Sequence, residues 1–252
     1  VQGIARDITE RKLMENQLRA TNQRLLDIIE FLPDATFVID QNQKVIAWNR
    51  ATEEMTGINK KDIIGQSEYA YAIPFYGYPR PMLLDLITAS DEDMSKHYKE
   101  VRREGESLYT EIFAPGVYDG EGAYIWVKAS PLFDTDGNRV GAIESIRDIS
   151  QRKHFEEQLR YLSLHDRLTG LYNRNYFEEE IRRLESGRFS PTGLLVCDVD
   201  GLKLVNDTLG HDAGDKLLIS VARVIEKCFR GDDVVARVGG DEFSVIMLRS
   251  SD

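Results

Sequence analysis

The stretch RVGGDEFSVIM, Arg237 to Met247, places two adjacent carboxylates, Asp241 and Glu242, after two glycines and between β-branched and aromatic runs. The pattern reads as a hairpin with charge at its tip. A third acid, Asp198, interrupts the apolar run Leu194 to Val199, and Asp200 follows it. A charge inside a strand that reads as buried on both faces is costly unless it is paired or metal-bound. If the hairpin lies beside that strand, Asp198, Asp241 and Glu242 surround one point, the donor set of a hard cation of the magnesium type. Magnesium held by few carboxylates takes its remaining ligands from substrate phosphates, so the chemistry implied is metal plus nucleotide. A plainer reading stays open on the residues alone: a solvated turn with two charges, and Asp200 as the cap of the next helix.

These groups need a scaffold. Gly201 lets the backbone pass close to a ligand and Lys203 follows within reach. Asn206, His211 and Asp215 dot the next stretch, with Gly210 and Gly214 between them. A helix is predicted from near Asp215, with Leu217, Leu218, Val221, Val224, Ile225, Cys228 and Phe229 as its apolar face. Paired strands are predicted over 234–238 and 243–247, Gly239 and Gly240 supplying the unusual backbone angles of the turn between them. Just upstream, RGDD at 230–233 holds an Arg-x-x-Asp pair, Arg230 and Asp233, which in general is a surface ion pair.

The first half of the chain has a different texture. Residues 6–12 (RDITERK) and 147–153 (RDISQRK) repeat, with a Leu-Arg pair at the same offset after each, so a strand-end-to-helix junction is expected twice. After the first copy, Met14, Leu18, Leu25, Ile28 and Leu32 step by fours and threes, with Thr21 filling one position. That is a short heptad seam suited to pairing with a second copy of itself, or equally an amphipathic face packed on its own domain. Pro33-Asp34 ends the helix. ATFVIDQNQKVIAWN gives two strands around a polar turn, RATEEMTGINKKDIIG is helical with breaks at Gly57 and Gly65, PFYGYPRP is a rigid aromatic loop, and the stretch from Ser107 to Ser150 is a strand series with turns at YDGEG and DTDGN. Strands, then helices, then antiparallel strands predict an α+β module with a sheet open on one face. A second linking helix begins at Gln151, where Phe155, Leu159 and Leu162 again step by four and three and run straight into LHDRLTGLYNR. With no Gly/Ser-rich break it is a stiff connector, either a signalling helix or a passive spacer.

Length and composition set outer bounds. The 252 residues suffice for about two domains, and a net charge of −11 argues against nucleic acid or an anionic membrane as a non-specific partner. Two cysteines, Cys197 and Cys228, have no metal-type spacing and fit a reducing, cytoplasmic setting; any membrane anchor is left to segments outside this stretch. No apolar run approaches the ~20 residues that span a bilayer. The chain starts without Met and in mid-motif, so it reads as an excerpt of a longer protein.

Residues 30–150 resemble the PAS sensor family, through VIAWNRATEEMTG, the strand bearing Trp126, PLFDTDGNRVG and the terminal RDIS junction. The likeness implies a dimerising or ligand-sensing module and leaves the ligand unknown. The absence of cysteine from this region argues against flavin–cysteine photochemistry, and haem would depend on His97 alone, which reads as a surface or helix residue. The tyrosines and phenylalanines between Tyr69 and Phe113 read as core packing, with a ligand pocket as the other possibility. The C-terminal part resembles the diguanylate cyclase (GGDEF) family, through GGDEF at 239–243, DVDGLKLVNDTLGHDAGD at 198–215 and LTGLYNR at 168–174, in that family's order and spacing.

That second likeness implies synthesis of cyclic di-GMP from two GTP molecules on a fold like the palm of nucleotide cyclases and polymerases. It implies magnesium (or manganese) held by Asp198, Asp241 and the Val199 carbonyl, Glu242 beside the metal, and either Glu242 or Asp241 as the catalytic group favouring deprotonation of the attacking 3′-hydroxyl. It implies guanine held by Asn206 and Asp215, His211 at the substrate site and Lys203 on phosphate. It further implies a product-inhibition site at Arg230 and Asp233, with Arg237 adding a phosphate contact, and a homodimer formed through the linker helices and the PAS module. Members of the family continue for several more elements after the hairpin. The expected fold class is therefore α+β in two domains: a PAS-like antiparallel sheet with helices, then a truncated palm-like α/β sandwich, joined by a helical linker. The expected organisation is the tail of an upstream PAS-type module at 1–12, a linker helix at 13–32, a PAS domain at 33–150, a signalling helix at 151–164 and the GGDEF domain at 165–252. Two other functions remain beside the enzyme: a catalytically silent module binding GTP or cyclic di-GMP, and a PAS dimerisation scaffold.

Overall fold

The computed structural model describes residues 2–186 and 192–248. The chain divides into two compact units, one ending at Lys153 and one beginning at His154.

The first unit opens with a long helix, α1 (Gln2–Glu30), whose Met14, Leu18, Leu25 and Ile28 are exposed. The first copy of the repeat lies wholly inside this helix, not at a strand end as expected. The second copy does straddle a strand end and a helix start, because there the chain has just left a sheet. After α1 come β1 (Ala35–Asp40), β2 (Val45–Trp48), α2 (Arg50–Thr56), α3 (Lys60–Ile63), a 3-10 turn (Ala70–Ala72), α4 (Ile73–Tyr76), a second 3-10 turn (Leu83–Leu86), α5 (Asp91–Ser95), β3 (Arg102–Glu104), β4 (Ser107–Ala114), β5 (Ala123–Phe133) and β6 (Arg139–Asp148). The six strands form one antiparallel sheet in the order β2-β1-β6-β5-β4-β3.

Alternation explains the layers. In β5, Ala123, Ile125, Val127 and Ala129 are buried, while Tyr124 and Trp126 point to the other face. The inner face packs on Tyr71, Phe75, Leu83 and Leu84 from the helical segments, with Phe37 and Trp48 of the sheet in ring contact at 5.4 Å. Tyr71 and Phe75 are thus core residues, whereas Tyr109, Phe113, Tyr124 and Trp126 pair on the outer face, at 5.8 Å (Tyr109–Trp126) and 5.2 Å (Phe113–Tyr124). PFYGYPRP is less loop-like than expected, since its first three residues belong to α4, which Gly77 ends at φ 82°.

Asn49 ties this unit together. Its Oδ1 accepts from the Thr52 N–H that caps α2, from the Thr36 N–H and from the Thr52 hydroxyl, while Nδ2 donates to the carbonyls of Ile29, Leu32 and Asp34. One buried side chain therefore satisfies the C-terminal carbonyls of α1 and the start of α2 together.

Helix α6 (Ser150–Leu164) follows. The second unit then contains β7 (Tyr172–Asn173), α7 (Arg174–Ser186), β8 (Thr192–Asp198), α8 (Leu202–Leu209), α9 (His211–Cys228), β9 (Val234–Arg237) and β10 (Glu242–Leu248). Its sheet runs β7-β9-β10-β8. Helix α9 covers one face through Leu218 and Ala222 against Val235, Phe243 and Val245, and α7 covers the other through Phe177 against Val234, Ala236 and Ile246. Two expectations are corrected here. The run Leu194 to Val199 is not buried on both faces: β8 is an edge strand of the described sheet, and Leu194 and Val196 stand 59% and 66% exposed. The helix expected from Asp215 begins four residues earlier, at His211, because the break falls at Gly210, whose φ is 86°.

Candidate functional site

The expected acids come from two neighbouring strands. Antiparallel pairing of β8 with β10 sets Glu242 directly opposite Asp198, and the Val199 N–H donates to the Asp241 carbonyl at 3.0 Å. Asp198, Val199, Asp241 and Glu242 thus meet at one end of the sheet. Opposed residues in a ladder share a face, and two carboxylates so opposed repel unless a cation intervenes. Arg174, the first residue of α7, has its guanidinium held protonated first by its 2.7 Å ion pair with Glu178 and also by the charge of Glu242. Among the described residues no three His, Cys, Asp or Glu side chains converge closely enough to hold a metal ion, so the expected three-carboxylate cluster is not formed. Asp198, Val199 and Asp241 are neighbours along the paired backbones at that strand end. Hard oxygen donors on a solvent-facing strand end fit magnesium or manganese.

The turn between β9 and β10 works differently from expectation. Neither Gly239 nor Gly240 has a positive φ. Gly239 instead makes room: a Cβ there would lie 2.6 Å from Glu242 Oε2, and both the Val238 and Gly239 N–H groups donate to the Glu242 carbonyl, at 3.0 and 3.3 Å.

The remaining expected residues lie on the α8–α9 pair. Gly201 enters α8 at φ 79°, and Lys203 follows on its first turn. Gly214 is where the two helices touch, since a Cβ there would overlap Asn206 Oδ1. That close approach sets Asn206 beside the first turns of α9, where His211 and Asp215 are one helical turn apart. Among the described residues, the side chains of Asp198, Asp241, Lys203, Asn206, His211 and Asp215 have no hydrogen bond or ion pair to the protein, so all are available to a ligand.

Arg230 and Asp233 stand at the opposite end of β9 from the acids. Asp233 is already engaged: one carboxylate oxygen accepts from the Arg230 N–H at 2.9 Å and the other from the Leu248 N–H at 3.0 Å. Arg230 is exposed and lines a groove of about 260 Å³ with Phe229, Gly231, His165 and Tyr172. Arg237 is not available for phosphate. Its Nη1 donates to Asp166 Oδ1 at 3.2 Å and its Nη2 to the Gly240 carbonyl at 2.6 Å. Burial raises the Asp166 pKa, but hydrogen bonds from the Thr169 hydroxyl and N–H, together with Arg237, outweigh it and hold the carboxyl below its ordinary range. Asp166, Thr169 and Arg174 were not singled out from the sequence. The Asp-x-x-Thr spacing, which lets a carboxylate take the N–H three residues on, was the signal available.

A family profile described as a PAS fold matches residues 29–154, and one described as a diguanylate cyclase, GGDEF domain, matches residues 163–252. The chain belongs to the PAS-fold family, and its second unit carries a GGDEF domain. It is 29% identical over 248 residues to the probable diguanylate cyclase DgcE of Escherichia coli K12, covering 97% of this chain and 21% of that one. It is 30% identical over 186 residues to the diguanylate cyclase DgcM of the same organism (71% and 45% covered) and 29% identical over 219 residues to its cyclic di-GMP phosphodiesterase PdeR (86% and 31%). Among solved structures, the coiled coil and GGDEF domain of DgcB from Caulobacter crescentus, in complex with c-di-GMP, is 34% identical, with 41% of this chain and 56% of that one covered and a TM-score of 0.38. The chain thus spans less than half the length of these curated relatives. No described helix is long and apolar enough to cross a membrane.

Proposed function

We propose that this stretch is the sensor and catalytic core of a diguanylate cyclase that joins two GTP molecules into cyclic di-GMP with release of pyrophosphate. The observation that carries the reading is the opposed pair Asp198 and Glu242, with Asp241 bonded through its backbone to Val199, beside the unengaged Lys203, Asn206, His211 and Asp215. Asp198, Asp241 and the Val199 carbonyl would hold magnesium or manganese, which when bound neutralises phosphate charge. Asn206 and Asp215 offer complementary hydrogen-bonding groups to a guanine edge, Lys203 a point charge to phosphate, and His211 a further polar contact. Either Glu242 or Asp241 would favour loss of the proton of the attacking 3′-hydroxyl as its oxygen approaches the α-phosphorus of the second nucleotide.

Each unit of this kind binds one nucleotide, so two copies must face each other. The exposed seam of α1, and Phe155, Leu159 and Leu162 exposed on α6, supply self-complementary surfaces for that pairing. We assign the PAS sheet the role of sensor, the groove at Arg230 the role of product site, residues 1–12 to an upstream module of the same kind, and the protein to the cytoplasm.

A second reading, a silent module that binds GTP or cyclic di-GMP without turnover, is favoured by the similarity to a phosphodiesterase over 86% of this chain. Incubating the full-length protein with GTP and magnesium separates the two. Cyclic di-GMP and pyrophosphate should form, and Asp241→Asn should reduce both at least about a thousandfold while leaving the fold intact. Nucleotide binding without either product would establish the silent module instead.

A further inference from the structure

Glu144, in the middle of β6, is 0% exposed on the inner face of the first unit's sheet, between Phe37 of β1 and Ala129 of β5. Its Oε2 accepts the Leu84 N–H at 2.9 Å, while its Oε1, equally buried, has no partner. Leu84 belongs to the 3-10 turn Leu83–Leu86, so this bond joins that turn to the middle of β6.

Among the described residues no basic side chain forms an ion pair with Glu144. Asp85, in the same turn, has its own donors: the Tyr71 hydroxyl at 2.7 Å, the Met82 N–H at 2.8 Å and Gln43 Nε2 at 3.2 Å. From the other packed segments come Tyr71, Tyr76 of α4 and Tyr98, all phenols kept neutral first by burial. The nearby arginines are engaged elsewhere. Arg80 lies over the rings of Tyr76 and Tyr98 and donates to the His97 carbonyl, and Arg139 donates to the carbonyls of Gly141 and Leu84. The flanking Phe37 and Ala129 are apolar. A carboxylate at this position would be an uncompensated buried charge, whereas the neutral acid leaves only one polar atom unsatisfied.

We infer that Glu144 is a proton-operated latch: as the neutral acid it holds the Leu83–Leu86 turn against β6, and on ionising it releases the turn and admits water. The input is thus proton activity, read inside the sensor unit on the strand that ends at Asp148, whose carboxylate caps the start of α6 by accepting the Ser150 N–H at 2.8 Å. Burial, countered in part by the Leu84 N–H, lifts the Glu144 pKa from the ordinary 4.5 to about 8. The sign follows from linkage. The closed state binds the proton more tightly than the open state, so closure is strongest at low pH. The opening constant should rise about tenfold per pH unit between those two values and level off above the upper one.

Hydrogen exchange at the Leu84 amide of the full-length protein, corrected for intrinsic base catalysis and followed from about pH 6 to 9, should show that one-proton rise and plateau. Glu144→Gln, which preserves the acceptor for Leu84 and cannot ionise, should flatten the profile. Equal slopes in both proteins would overturn the latch. In the wild-type protein alone, infrared spectroscopy should show a protonated-carboxyl stretch from labelled glutamate at neutral pH that disappears in alkali. Its absence at neutral pH would overturn the latch whether or not the variant folds. Neither outcome bears on the catalytic reading, which stands or falls with Asp241→Asn.

Discussion

At the scale of single residues, the side chain that best shows how structure serves the site is Arg237. It spans from Asp166 to the Gly240 carbonyl, one peptide before Asp241. It is largely buried, at 13% exposure, so its ion pair with Asp166 is less screened than a surface pair. Lysine keeps the charge but cannot bridge two acceptors with a planar fork. Losing one charge-assisted hydrogen bond is worth about 1.5–3 kcal/mol. Arg237→Lys in the full-length protein should therefore lower kcat by roughly tenfold or more while leaving KM for GTP nearly unchanged, because the acids lose position but the nucleotide contacts persist. Steady-state kinetics check this, and a raised KM with unchanged kcat would make Arg237 a binding residue. Because the Asp166 pKa is depressed, the bridge contributes above the ordinary carboxylate range and is lost as pH falls through the lowered value.

At the scale of elements, Asn49 joins three of them, α1, β1 and α2. Asn49→Ala removes a helix cap and strands buried backbone groups, so it should destabilise the first unit by about 2–4 kcal/mol, measured by urea unfolding. Much of this level could be read from residue order. The β-rich runs ATFVID and FSVIML announced strands, and the carboxylates at 198 and 242 were expected to come close if the hairpin lay beside the Asp198 strand, as it does. Other features depended on neighbours far along the chain. The early start of α9 follows from Gly210, which reads on paper like any loop glycine. The role of Gly239 is spatial and not torsional, and only coordinates place Glu242 against it. The commitment of Arg237 to Asp166 joins residues 71 positions apart, and no local pattern announces it. The buried, half-satisfied Glu144 was likewise hidden, since an acid among apolar residues is ordinarily expected at the surface even where, as here, its i±2 neighbours Ala142 and Ile146 face inward.

At the scale of the whole molecule, the proposed reaction needs two copies, and α1 presents Met14, Leu18, Leu25 and Ile28 along one exposed line. The double change Leu18→Asp and Leu25→Asp sets like charges against each other in a paired helix while touching nothing in the PAS core. Sedimentation of the full-length protein should shift from dimer to monomer, with cyclic di-GMP output falling in parallel; an unchanged dimer would move the pairing surface elsewhere. A different consequence follows from β8. Leu194, Leu195 and Val196 lie exposed on a strand with one flank unpaired among the described residues, and within Thr192–Asp198 no lysine or proline blunts it. Such an edge templates the addition of any extended segment it meets. Preparations that leave it bare should therefore grow into sheet-linked assemblies as concentration rises, and staying dispersed requires that another stretch of polypeptide shelter that flank.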